Sequence, residues 1–220
     1  MCFSPSASFT SGILLTGLGV ASLKKNSVPN KTLFASIPLA FGLQQISEGF
    51  VWLSLQQSAF AAAEKPAMYA FLLMARVVWP VLMPAAVLRM EEDATRKKAL
   101  RWFVWPGALV ALYYSACLLF LHVAPNIEGR HVQYVSDFPE VLAVPAFALY
   151  LGASIPPLFL SRVRGTTVLG LVLLVSSMVT AVFYIEYLTS VWCFFAAISS
   201  VIIYAILQKH TAEAQRAQRV

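Results

Sequence analysis

Long stretches with almost no charge constrain the fold of this chain more than any other feature. Seven apolar runs lie near Ser8–Leu23, Leu33–Leu55, Ala67–Leu88, Leu100–His122, Val141–Leu160, Val168–Tyr187 and Val191–Leu207. Each approaches the roughly 20 residues with which a helix crosses a hydrocarbon core about 30 Å thick. Lipid offers no hydrogen bonds, so a spanning segment must satisfy its own backbone, and no ten-residue alternation suggests a barrel instead. Composition agrees: 59% of the 220 residues are hydrophobic and 12% are charged, against about 45–50% and about 25% in soluble domains. Too little surface can be hidden from water at this size for a soluble fold. A soluble enzyme, a nucleic-acid binder and a disulfide-stapled secreted domain are excluded. The expected fold is all-α: a polytopic membrane helical bundle with seven transmembrane helices, forming one integral membrane domain over residues 1–220.

The charges set the orientation. Lys24, Lys25 and Lys31 follow the first run, and Arg89, Arg96, Lys97, Lys98 and Arg101 separate the third from the fourth. Arg162 and Arg164 separate the fifth from the sixth, and Lys209, Arg216 and Arg219 end the chain. In a seven-span arrangement these thirteen of the sixteen basic residues share one side. That side is cytoplasmic by the positive-inside rule, which places the N-terminus outside and the C-terminus inside. The net charge of +6 thus marks topology and contact with anionic lipids, and nucleic acid is not a partner. The start Met1-Cys2-Phe3-Ser4 lacks a basic region and a cleavage site, so the first run reads as a retained helix.

Ionisable side chains inside a bilayer cost about 2.5–3.5 kcal/mol on insertion scales, which makes each a candidate site residue. Glu48, Arg76 and, at a span edge, Glu186 stand out. Gln44, Gln45 and Glu48 share one face of the second run, and Trp52 continues the stripe. At about 1.5 Å per residue, Glu48 and Arg76 lie roughly 10 and 14 Å below the outer ends of their spans. Side chains lean toward the helix N-terminus, so in antiparallel neighbours these two converge, and an ion pair is expected. Pro80 should free the carbonyl of Arg76, one turn back. The candidate ligand-binding set is Gln44, Gln45, Glu48, Trp52, Arg76 and Glu186, in a pocket facing outward.

Further polar residues gather toward the same side. The segment Val123–Glu140 holds His131, Tyr134 and Asp137 with a short alternation, and reads as a connector or as a lid over the bundle mouth. The mixed-charge segment Arg89–Lys98 reads as a solvated turn. Glu48, His122 and His131 are chemically suited to zinc or iron, but no metal-binding motif or other cofactor signature accompanies them. Cys2 and Cys193 could form a disulfide on the outer face; with Cys117 mid-span, the pairing is not deducible. Gly12, Thr16 and Gly19 make a small-residue face for close helix packing.

The opening Met1–Phe9 resembles the start of an uncharacterised family of bacterial multi-pass membrane proteins. Pro38–Trp52, Trp79-Pro80 and Ser190–Ala197 extend the resemblance over most of the chain. It implies a seven-helix protein of the bacterial inner (plasma) membrane and carries no catalytic assignment. The span count also invites comparison with the membrane metal hydrolases that include alkaline ceramidases, but their paired histidines in the last span are absent, with Cys193–Ser200 in that place. Three readings follow. The leading one is a receptor-like or transport-related protein binding a small ligand, ion or lipid headgroup. The second is a membrane-embedded, metal-assisted lipid hydrolase; the third is a structural subunit of a membrane complex.

Overall fold

Local signals fix where the first helix begins and ends. In the computed structural model, which describes residues 4–129, 131–183 and 199–208, α1 runs Pro5–Lys25. The Ser4 hydroxyl accepts from the Ala7 N–H at 3.2 Å, and Pro5 has no N–H to leave unpaired in the first turn. Lys24 and Lys25 occupy the last turn, where the helix dipole favours cations. After a 3-10 turn at Pro29–Lys31, α2 (Thr32–Ala35) and α3 (Ile37–Gln56) meet at Ser36. A 3-10 stretch, Ser58–Ala63, leads into one continuous rod: α4 (Glu64–Leu72), a π-helical turn (Leu73–Val78) and α5 (Trp79–Met90). The rod is followed by α6 (Ala94–Phe120), capped by Asp93 Oδ1, which accepts from the Arg96 N–H at 2.9 Å. α7 (Glu140–Ser154) gives way to α8 (Pro156–Leu160) at Ile155, ahead of two prolines. α9 (Thr166–Phe183) and α10 (Ser199–Gln208) complete the described helices.

Four helical segments are long and apolar enough to cross a membrane: α1, Ser58–Met90, α6 and Glu140–Leu160. They coincide with the first, third, fourth and fifth apolar runs. The described parts of the last two runs hold shorter apolar helices, Thr166–Thr180 and Ser199–Gln208. Although α3 has 20 residues, Gln44, Gln45 and Glu48 lower its hydropathy. The chain is thus mostly helical and has the make-up of a membrane protein.

One element departs from the all-α expectation. Residues Val123–Glu128 (β1) and His131–Ser136 (β2) pair antiparallel, from Val123 opposite Ser136 to Glu128 opposite His131. Gly129 enters the turn at φ 61°, a left-handed conformation that costs glycine little. The Asp137 N–H continues the ladder to the His122 carbonyl at 3.1 Å. Because side chains alternate across a strand, Val123, Ile127, Val132 and Tyr134 share the face that packs on the helices. Tyr134 stacks on Phe71 of α4 at 5.1 Å. The alternation in this segment is therefore the signature of a docked hairpin.

Two apolar clusters make the core. One joins Phe34 and Ile37 with Trp79 and Met83 of α5, Leu100 and Val110 of α6, Leu158, Leu169 and Ile203. The other joins Val51 and Trp52 of α3 with Met68 and Phe71 of α4, Leu118 of α6, and the hairpin's Val123 and Val132. Along α3 the residues between the clusters are Gln44–Glu48; on the rod Arg76 lies at the edge of the second cluster, and Tyr114 of α6 packs against the first. A polar layer separates two greasy halves. The small face expected on α1 does meet α3: a Cβ added to Gly19 would lie 2.3 Å from the Leu39 nitrogen, so the backbones approach closely.

Candidate functional site

The α3 part of the polar layer is fully enclosed. Gln44, Gln45 and Glu48 are each at most 2% exposed. Gln45 Oε1 accepts from Ser11 Oγ of α1 at 3.1 Å, and Gln45 Nε2 donates to Glu48 Oε2 at 3.3 Å. On the other side, Gln44 Oε1 accepts from Trp79 Nε1 of α5 at 2.6 Å. The Trp79 ring is stacked on Phe41 with centroids 3.8 Å apart. Thus α3 ties α1 to α5 through side-chain amides, which can donate and accept at once. One turn further on, Trp52 sits in the second cluster, buried, its indole N–H without a partner among the described residues.

Arg76 occupies the π turn, and the turn explains its surroundings. The Trp79 N–H bonds the Met74 carbonyl, a span of five residues. In that register the next donor would serve the Ala75 carbonyl, but the next residue is Pro80, which has no N–H. Tyr150 of α7 fills the gap: its hydroxyl donates to the Ala75 carbonyl at 3.0 Å. In this register the carbonyl opposite Pro80 is that of Ala75, one residue before the Arg76 carbonyl expected from an α-helical ladder. A Cβ on Gly107 of α6 would lie 2.0 Å from the Pro80 carbonyl oxygen, so α6 presses directly on this point.

The Arg76 side chain is half-buried, and two rings frame it. Its guanidinium carbon lies 5.2 Å from the Tyr114 centroid and 5.1 Å from that of Phe138, within the range of a cation–π contact. The expected Glu48–Arg76 ion pair is not formed. Glu48 is engaged with Gln45 toward α1, whereas the guanidinium sits toward α6 and the start of α7. Among the described residues, no acid and no hydrogen-bond acceptor accompanies Arg76. Among the described residues, a planar group with five donors thus stands in an aromatic setting without the oxygens it is built to bind.

The other candidates are scattered. His122 follows α6 and is exposed, and His131 lies in the hairpin, where burial holds its imidazole below the ordinary 6.5. Among the described residues, no three His, Cys, Asp or Glu side chains form a group that could hold a metal, so Glu48, His122 and His131 are not brought together. Cys117 is a buried free thiol on α6. Glu186, Cys2 and Cys193 lie outside the described residues. Sequence reasoning missed Tyr114, Phe138 and Tyr150. The available signal was tyrosine deep inside runs four and five, too far from the water interface to serve as a belt residue.

A second polar knot lies at the opposite end of the rod, where the sequence suggested a solvated turn. Glu91 is 3% exposed. Its Oε1 accepts from the N–H groups of Glu92 and Asp93, each at 3.1 Å, and its Oε2 from that of Arg162 at 2.8 Å. Burial alone would raise the carboxyl's pKa, but these donors, with Ser161, outweigh it and hold the group below its ordinary 4.5. Arg162 also reaches Asp93 at 3.7 Å, and Arg96 donates to the Leu160 carbonyl. The loop after α5 is thereby stapled to the loop after α8.

Comparison with curated proteins and with solved structures gave no match. A family model matches residues 1–219, and its description is "Family of unknown function (DUF6629)". With nearly its whole length matched, the chain belongs to this family of unknown function.

Proposed function

We propose that the protein is a seven-span bundle of the bacterial inner membrane, N-terminus outside, that binds a small anionic ligand or headgroup at Arg76. The role is receptor-like or transport-related, and the site opens toward the outer face beneath the hairpin. One observation carries this reading: Arg76 lies against Tyr114 and Phe138 with no acid beside it among the described residues. A cation in the membrane's outer half is costly unless something compensates it. Two rings compensate it only in part, and a bidentate oxyanion would complete it. Gln44, Gln45 and Glu48 then act as the frame, fixing α3 between α1 and α5, with Trp52 above them. Glu186 remains a candidate contributor from the sixth span.

Extraction of purified protein, followed by mass spectrometry of small molecules, tests this. Wild type should carry an anionic compound that Arg76→Gln loses, while Arg76→Lys keeps part of it. Identical extracts from wild type and Arg76→Gln would remove the support for a site at Arg76.

A further inference from the structure

Resting on that reading of Arg76, we infer the class of its ligand: an oxyanion, carboxylate or phosphate, carried on a hydrocarbon chain that enters from the outer leaflet. The charge requirement follows from the guanidinium, which no acid accompanies among the described residues. The chain requirement follows from what surrounds it. The rings that face Arg76 are Tyr114 and Phe138, and its neighbours in the rod, Ala75 and Val77, pack with the second apolar cluster. On the face of α6 turned away from Tyr114, Leu112, Leu119 and Phe120 are exposed, and within two turns of Phe138 α7 exposes Val141 and Val144. These are surfaces that hydrocarbon wets.

The aqueous approach is different. Asp137 and Glu140, both exposed, flank Phe138, and would repel a dissolved anion before it met the guanidinium. A soluble anion therefore meets an acidic rim, whereas an amphiphile slides in along apolar helices and presents its headgroup at the depth of Arg76. The aromatic frame fits this division: the rings contact the first carbons of the chain, and the guanidinium N–H groups take the two oxygens.

Native mass spectrometry of the full chain in mild detergent can separate the possibilities. The probes are oleate, dioleoyl phosphatidate, acetate, inorganic phosphate and the uncharged monoolein, each at the same concentration. Oleate or phosphatidate should bind wild type, and Arg76→Gln should weaken that binding about tenfold or more. Arg76→Lys should restore part of it, and acetate, phosphate and monoolein should leave no adduct. Arg76-dependent binding of acetate or phosphate as strong as that of oleate would overturn the acyl-chain inference, leaving the anion site standing. Absence of any tailed anion on wild type also overturns it. Equal oleate binding to wild type and Arg76→Gln overturns both. Phe138→Ala supplies a variant that keeps the charge: severalfold weaker oleate binding is expected, and unchanged binding would count against the aromatic frame.

Discussion

At the scale of single residues, the contrast between Glu48 and Arg76 organises the molecule. Both are ionisable groups in apolar helices, yet one is enclosed by amides and the other lies against two aromatic rings. The packing around Arg76 makes two substitutions informative. Gly107→Ala places a methyl 2.0 Å from the Pro80 oxygen, and backbone cannot move aside as a flexible side chain does. A loss of about 1–3 kcal/mol is expected, read as a lowered unfolding midpoint in a dodecyl sulfate titration; an unchanged midpoint would refute the close approach. Tyr150→Phe deprives the Ala75 carbonyl of its donor and should cost about 0.5–1.5 kcal/mol. Combining it with Pro80→Ala, which supplies an N–H, should recover part of that loss in the same titration. The candidate residues themselves were legible, because a polar atom in an apolar run needs no structure to be noticed. Their partners were not. Which faces of α3 and the rod meet depends on a π turn, and nothing in Leu73–Val78 announces the extra residue in that turn.

At the scale of elements, the Glu91 staple joins two loops far apart in sequence. Three backbone N–H donors converge on one carboxylate, so charge rather than shape does the binding. The folded carboxyl titrates below its ordinary 4.5; its contribution is therefore complete above that value and lost as the pH falls through the folded pKa. Glu91→Gln should lower stability at neutral pH by about 1.5–3 kcal/mol and flatten the acid limb of a stability–pH curve. Equal acid limbs for wild type and variant would show that another group governs it. The sequence showed Glu91 as one acid in a charged run, and charge runs are usually solvated. Its burial depends on the loop at Ser161–Val163, seventy residues on, which no local pattern reveals. The hairpin was half legible: alternation at His131–Val135 was visible, but its pairing with a proline-containing partner strand was not.

At the scale of the whole molecule, the apolar runs and the asymmetry of basic residues carry most of the architecture. Four of the seven runs correspond to helices long and apolar enough to span, and the second falls short on hydropathy because it carries the polar layer. The proposed topology has a direct check. Reporter fusions after Glu92 and Arg164 should be active only in the cytoplasm, and fusions after Ser58 and Asn126 only outside. A cytoplasmic signal at Asn126 would invert the hairpin and with it the outward-facing site. The proposed function divides the labour of the molecule, with a locked part on α3 and a ligand-binding part at Arg76. A double-mutant cycle on stability tests that division most directly, using Glu48→Gln, Arg76→Gln and the pair. Separate roles require the two effects to add within about 0.5 kcal/mol. A coupling of more than about 1 kcal/mol would mean that the two charges answer each other after all, and that Arg76 is not free for a ligand.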